Sequence, residues 1–188
     1  MILLALGVLL WSGVHLFPSL GVSLRAACIA RLGEGPYKGL FALTLVGAIV
    51  LMAVGWRSTP PVALYSPPAS GAWLTNLGML VSLVFFLGSN VPTNLKRFLR
   101  HPQLTGVAVW AIAHLLSNGD RRSLVLFGGI GLWSLVSMVT INRRDGAWEK
   151  PDPLPLAAEI RPIVAGIVGF VVLYFAHPYL SGVSPSPG

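Results

Sequence analysis

The stretch GLFALTLVGAIVLMAVGW, from Gly39 to Trp56, contains no charged residue over its 18 positions. As a helix it would be about 27 Å long, close to the ~30 Å hydrocarbon core of a bilayer. It is one of six such runs, namely Ile2–Leu20, Gly39–Trp56, Ala72–Ser89, Gln103–Ser117, Ser123–Ile141 and Pro162–Leu180. The sequence therefore predicts an all-α polytopic membrane protein with six transmembrane helices.

The composition of the whole chain agrees with this interpretation. Of the 188 residues, 54% are hydrophobic and 10% are charged, and the mean hydropathy is +0.75. Soluble domains carry about 25% charged residues. The first run lacks the positively charged start of a signal peptide, so we interpret it as a spanning helix. We expect a single transmembrane domain over residues 1–181 and a disordered tail over residues 182–188.

The positive charges are distributed unevenly among the connections between the runs. Ten of the 13 Lys and Arg residues fall in the first, third and fifth connections, and only Arg57, Arg121 and Arg122 fall in the other two. Because Lys and Arg accumulate in short cytoplasmic loops, both termini are predicted to lie outside. The net charge of +7 is then explained by topology and anionic lipid headgroups, not by nucleic acid.

Four histidines provide most of the ionisable chemistry near the apolar runs. His15 and His114 lie inside the first and fourth runs, whereas His101 and His177 each precede a proline near the end of a run. An ionisable side chain inside a membrane usually faces the bundle interior and indicates a functional site. Since no Asp or Glu lies inside a run, a proton pump is disfavoured and a neutral imidazole that binds a metal is favoured.

The missing ligand types narrow the choice of metal. A zinc site needs three or four clustered ligands, and no H-x-x-x-H or C-x-x-C pair occurs. Haem needs only one or two axial ligands and an apolar slot. A flat macrocycle could approach the backbone at the small residues near the two core histidines, which are Ser12, Gly13, Gly106, Ala108, Ala111 and Ala113. The same residues also suit ordinary helix packing, so spacing alone leaves both interpretations open.

Three motifs give the chain a resemblance to a known family. They are SGVHLFPSL from Ser12, LGEGPYKGLFALTLVGAIVLMAVGWR from Leu32 and RHPQLTGVAVWAIAHLLSNGD from Arg100. With them the chain resembles, over nearly its whole length, the NnrU family of bacterial membrane proteins. That family is similar to the zeta-carotene isomerase of plants and cyanobacteria, which carries haem b and isomerises a cis double bond in a polyene. The resemblance implies a multi-pass protein of the bacterial inner membrane whose haem b ligands correspond to His15 and His114.

Two features limit what the resemblance implies. Ala111 stands where the isomerase has a cysteine available to the iron, so a redox-linked exchange of ligands is not carried over. The two core histidines also fall ~10 Å apart in predicted depth, at ~1.5 Å per residue. His177 lies on a run that is parallel to the run of His114, which makes it the alternative partner.

Arg121 and Arg122 follow Asp120 in the polar turn between the fourth and fifth runs. They would suit haem propionates, because a guanidinium binds a carboxylate in a bidentate way. The alternative is a capped helix turn in which the aspartate pairs with an arginine.

Three functions remain open, and no catalytic residue is assigned. The first is a haem b isomerase of cis double bonds in a lipid-soluble polyene such as a carotenoid. The second is a non-enzymatic haem-binding accessory or assembly subunit of a respiratory membrane complex, because the family is named for an association with nitrite and nitric oxide respiration, that is, denitrification. The third is a methyltransferase of the isoprenylcysteine type, which is disfavoured because no acidic residue follows the last run.

Overall fold

The computed structural model describes residues 1–185, most of which are helical. These residues contain one β-bridge, between Ala63 and Asp120, and no strand, so the all-α prediction is confirmed. The helices are α1 (Ile2–Leu20), α2 (Val22–Leu32), α3 (Glu34–Arg57), α4 (Gly71–Gly88), α5 (Leu95–Phe98), α6 (Pro102–Ser117), α7 (Arg121–Asp145) and α8 (Ile160–Ser181). A π-helical segment, Leu124–Gly128, lies within α7, and a 3-10 turn, Leu156–Glu159, precedes α8.

Within residues 1–185, five helices are long and apolar enough to cross a membrane, namely α1, α3, α4, α7 and α8 with its preceding turn. The chain is therefore a multi-pass helical membrane protein. The remaining predicted span corresponds to α6, whose 16 residues would cover about 24 Å at ~1.5 Å per residue. This helix begins after His101 with Pro102 in its first turn, where a proline removes no helical hydrogen bond.

Helix α2 occupies a region that the sequence predicts to be a connection. It has no buried residue and carries Arg25 and Arg31, so it lies on the surface of the bundle. Gly33, at φ 83°, separates it from α3, because glycine adopts this left-handed conformation without a Cβ clash. A short, partly basic surface helix beside apolar spans is typical of the membrane interface.

The six long helices pack in the spatial order α3, α1, α7, α6, α4 and α8. At one end of this series α3 packs on α1, and at the other end α8 packs on α4. The two end helices, α3 and α8, are not among the closely packed pairs. The series of closely packed helices is therefore open between its two ends.

Small residues form many of the contacts between the helices. Gly106 of α6 lies so close to α4 that a Cβ on it would be 2.7 Å from the carbonyl oxygen of Ser82. The Ser82 hydroxyl in turn donates to the carbonyl oxygen of Gly106 over 2.8 Å. Such close approach and interhelical hydrogen bonding stabilise helix packing in lipid, where apolar side chains gain nothing by leaving the solvent. Large apolar side chains point outward instead, such as Leu43 at 67% and Phe175 at 70% exposure.

Candidate functional site

A cavity of about 720 Å³ is lined by all six long helices. Its walls are mainly apolar and aromatic, and they include Trp11, Met52, Trp56, Trp110, Phe127, Phe170 and Tyr174. Polar side chains gather at the end near the second and fourth connections, and these are Arg57, Thr75, Asn76, His114, Ser117, Asn118, His177, Ser181 and Ser184. Since α3 and α8 both line the cavity and are not a closely packed pair, we place its open side between them.

His114 is the most buried of the four histidines, with 9% of its surface exposed. Its ring stacks on Phe127 with the ring centres 4.4 Å apart. Its Nδ1 lies 2.9 Å from the carbonyl oxygen of Trp110, one turn earlier, and donates a proton to it. Nε2 keeps its lone pair, and no residue in the range 1–185 donates to it. A neutral imidazole oriented by such a bond is the form that binds a metal.

His177, near the end of α8, faces His114 in the cavity. The two ring centres are 6.3 Å apart and the ring planes differ by 29°. His177 donates from Nδ1 to the carbonyl oxygen of Val183 over 2.7 Å, and the Ser181 hydroxyl lies 3.0 Å from the same nitrogen. Its Nε2 has no hydrogen-bond partner in the described part of the chain. Asn76 donates to the carbonyl oxygen of Pro185 over 3.2 Å, which holds the start of the predicted tail against the cavity. The rest of that tail, residues 186–188, lies outside the described residues.

His15 has the same local geometry but different surroundings. Its Nδ1 donates to the carbonyl oxygen of Trp11, one turn earlier, over 3.0 Å. Its ring centre lies 4.2 Å from that of Trp11, 4.8 Å from that of Trp133 and 5.9 Å from that of Phe41. The two indole nitrogens are buried, and neither has a hydrogen-bond partner among residues 1–185. His15 is therefore enclosed by aromatic side chains and does not line the cavity.

The contacts along α3 indicate that the two core histidines lie at different positions along the bundle. His15 packs on Phe41, whereas His114 packs on Phe127, which in turn packs on Trp56. Phe41 and Trp56 are 15 residues apart on one helix, or about 22 Å at ~1.5 Å per residue. The structure thus brings His114 together with the histidine of α8 and not with that of α1. Which histidines bind a cofactor stays a prediction.

The turn at Asp120 has the capped arrangement that the sequence left as an alternative. An oxygen of Asp120 accepts from the backbone N–H of Arg122 over 3.0 Å. The guanidinium of Arg122 lies 4.2 Å from the centre of the Trp56 ring and donates to the carbonyl oxygen of Thr59 over 3.1 Å. Arg122 therefore fastens the second connection to α7. Arg121 is exposed, and neither arginine lines the cavity.

Arg57 is the cation at the polar end of the cavity, and the sequence did not single it out. An arginine that follows a tryptophan at the end of an apolar run looks like any interfacial anchor. Thr75 was also missed, because a lone threonine in an apolar run carries no signal. Its hydroxyl donates to the carbonyl oxygen of Ala113 over 2.6 Å, which ties α4 to the residue before His114.

The cavity fits haem b in its donor set and its lining. Two imidazoles that bind one metal through bonds of about 2 Å have ring centres roughly 6 Å apart, and the centres of His114 and His177 are 6.3 Å apart. The apolar walls suit a porphyrin, and Arg57 suits a propionate. No group of three or more His, Cys, Asp or Glu side chains occurs within residues 1–185, so that part of the chain forms no zinc-type cluster.

The fold and the site together define a multi-pass helical membrane protein whose aromatic cavity ends in two facing imidazoles. The chain belongs to the NnrU family, because the family model described as NnrU protein matches residues 3–185. The predicted family is thereby confirmed. No curated protein and no solved structure matches the sequence.

Proposed function

We propose that the protein binds haem b between His114 and His177 and isomerises a cis double bond in a lipid-soluble polyene. The facing imidazoles in an apolar cavity, each with a free Nε2, carry the haem proposal. This ligand pair is chosen over His15 and His114, because the ring centres of His114 and His177 lie 6.3 Å apart in one cavity, and His15 does not line that cavity. The choice of a polyene as the substrate rests on the resemblance of the family to zeta-carotene isomerase.

The residues of the cavity have distinct roles in this proposal. The bond from His114 to the Trp110 carbonyl places the proton on Nδ1 and points Nε2 away from its own helix. Arg57 binds a propionate at the polar end, and the aromatic walls exclude water. Bound haem supplies Lewis-acid or one-electron chemistry to the double bond.

The open side of the cavity, between α3 and α8, supports a substrate that is dissolved in the bilayer. Ile49 of α3 and Leu173 of α8 line the cavity and are 51% and 39% exposed. A polyene entering between these helices would stay in an apolar environment throughout.

The proposal includes a topology in the bacterial inner membrane with α6 as the sixth span and both termini outside. The polar end of the cavity then faces outside, because the second and fourth connections form it. A phosphatase reporter fused after Gly188 should be active, and one inserted at Trp148 should be inactive. The reverse pattern would invert the topology.

Absorption spectra of the protein purified from haem-replete cells test the haem proposal. The reduced wild type should show Soret and α bands, and His114→Ala should lack them. His15→Ala is the matched control, because it removes an imidazole with the same local bond but outside the cavity. Retention of both bands in His177→Ala and their loss in His15→Ala would return the pair to His15 and His114. A colourless wild type would contradict haem binding.

Incubation with a cis-carotene in lipid vesicles, followed by chromatography, tests the isomerase activity. The haem-loaded wild type should form the trans product, and His114→Ala should not. Haem-loaded protein without product would favour the accessory subunit of a respiratory complex, and co-purification from native membranes would then identify that complex.

A further inference from the structure

A second cavity lies at the opposite end of the bundle, beside the start of α8. It has a volume of about 560 Å³ and lies between α5 and the connection that precedes α8. None of the residues lining it lines the aromatic cavity, so the two sites are separate. We call it the α5 groove, and the residues that matter here are Arg97, Phe98, Lys150, Leu156 and Glu159.

Hydrogen bonds between two connections build the α5 groove. The side-chain amide of Asn94 bonds to the backbone of Leu154 in both directions, each over 2.8 Å. The carboxylate of Glu159 accepts from the Thr93 hydroxyl over 2.5 Å and from the Asn94 backbone N–H over 2.6 Å. The acidic group of the groove is thus engaged internally, which leaves its cations without a carboxylate partner.

The α5 groove combines two cations with two exposed apolar side chains. Arg97 and Lys150 line it, and neither forms an ion pair within the described residues. Phe98 is 78% exposed and Leu156 is 86% exposed. The apolar surface continues onto α8, where Ile160 is 61% exposed. Cations beside exposed apolar groups at the end of membrane spans are typical of the boundary between headgroups and acyl chains.

We propose that the α5 groove binds an anionic phospholipid. Arg97 and Lys150 contact its phosphate, and Phe98 and Leu156 contact the upper part of its acyl chains. The two cations have no carboxylate partner among residues 1–185 and therefore select an anion. The continuity with the lipid-facing side of α8 selects a lipid over a soluble phosphate. This site does not depend on the haem proposal.

Thermal unfolding of the full chain in a neutral detergent tests this site. Dioctanoyl phosphatidylglycerol should stabilise the wild type saturably, whereas dioctanoyl phosphatidylcholine and glycerol 3-phosphate should not. The variant R97Q/K150Q should weaken the apparent affinity about thirtyfold, as expected for two cations at a lipid surface. The matched control is R25Q/R31Q, which removes two cations from α2 and should leave the affinity close to that of the wild type.

Several outcomes would overturn the proposal. Equal losses in the two double variants would mean that overall charge, not the groove, attracts the lipid. Equal stabilisation by phosphatidylcholine or by glycerol 3-phosphate would contradict an anionic lipid. The variant F98N/L156N keeps both cations and should also weaken binding of phosphatidylglycerol. If R97Q/K150Q does not fold, unchanged binding in F98N/L156N would contradict the proposed site.

Discussion

His15 and His114 share one local motif, a histidine four residues after a tryptophan. In both, Nδ1 donates to the tryptophan carbonyl, over 3.0 Å and 2.9 Å. The difference lies in what faces the ring. Trp133 packs against His15 at 4.8 Å between ring centres, whereas His114 faces a cavity and the ring of His177. The helix alone sets the tautomer, and tertiary packing decides whether Nε2 meets protein or a ligand.

Replacing the tryptophan that encloses His15 should have the largest effect on stability. Trp133 is 8% exposed, and Trp133→Ala should cost about 3–5 kcal/mol in the free energy of unfolding. Trp110→Ala is the matched variant beside His114 and should cost clearly less, because that indole already borders a cavity. Denaturant titration in mixed micelles measures both values. Equal costs would mean that the two histidines have equally packed surroundings.

Removing His177 tests whether His114 and His177 bind haem as a pair. His177→Ala should lower haem affinity by at least the roughly 10–100-fold that loss of an outer-shell partner costs, and it should change the position of the Soret band. His101→Ala is the control, because His101 bonds to Asn142 over 2.8 Å away from the cavity. An unchanged spectrum in His177→Ala would leave His114 with another partner.

The long helices and the histidines on them could be predicted from the sequence, but the arrangement of the helices could not. The uncharged run Gly39–Trp56 lies within α3, and Pro102 begins α6, because hydropathy and proline geometry act locally. The surface helix α2 was missed, since a short partly basic segment has no apolar stripe long enough to mark it.

The facing of His114 and His177 depends on the spatial order of the helices. Hydropathy does not encode that order, because every long helix exposes apolar side chains to lipid. The membrane depths predicted from the sequence indicated His177 as the alternative partner only because its run is parallel to that of His114. The enclosure of His15 by Trp133 was not predictable, because the two residues are over a hundred positions apart and share no pattern.

Two glycine substitutions compare how closely the backbone of each histidine helix packs on its neighbours. Gly106→Ala, beside the cavity wall, would push a methyl group to 2.7 Å from the carbonyl oxygen of Ser82 and should cost about 1–3 kcal/mol. Gly13→Ala, two residues before His15, meets nothing within 4 Å and should be neutral or stabilise the helix by up to about 1 kcal/mol. Unfolding titrations of both variants give the difference. A stabilising Gly106→Ala would contradict the close packing of α6 on α4.

The smallest effect is expected at the cap of α7, which leads into the π-helical segment that carries Phe127. Asp120→Ala removes the acceptor for the backbone N–H groups of Arg122 and Ser123 and for the Ser123 hydroxyl, and it should cost about 1–2 kcal/mol. Asp120→Asn keeps a side-chain oxygen at the same place and should retain most of that stability. Thermal unfolding of the two variants measures the cap. Since Phe127 stacks on His114, a shifted Soret band in Asp120→Ala alone would show that the cap also positions the ligand.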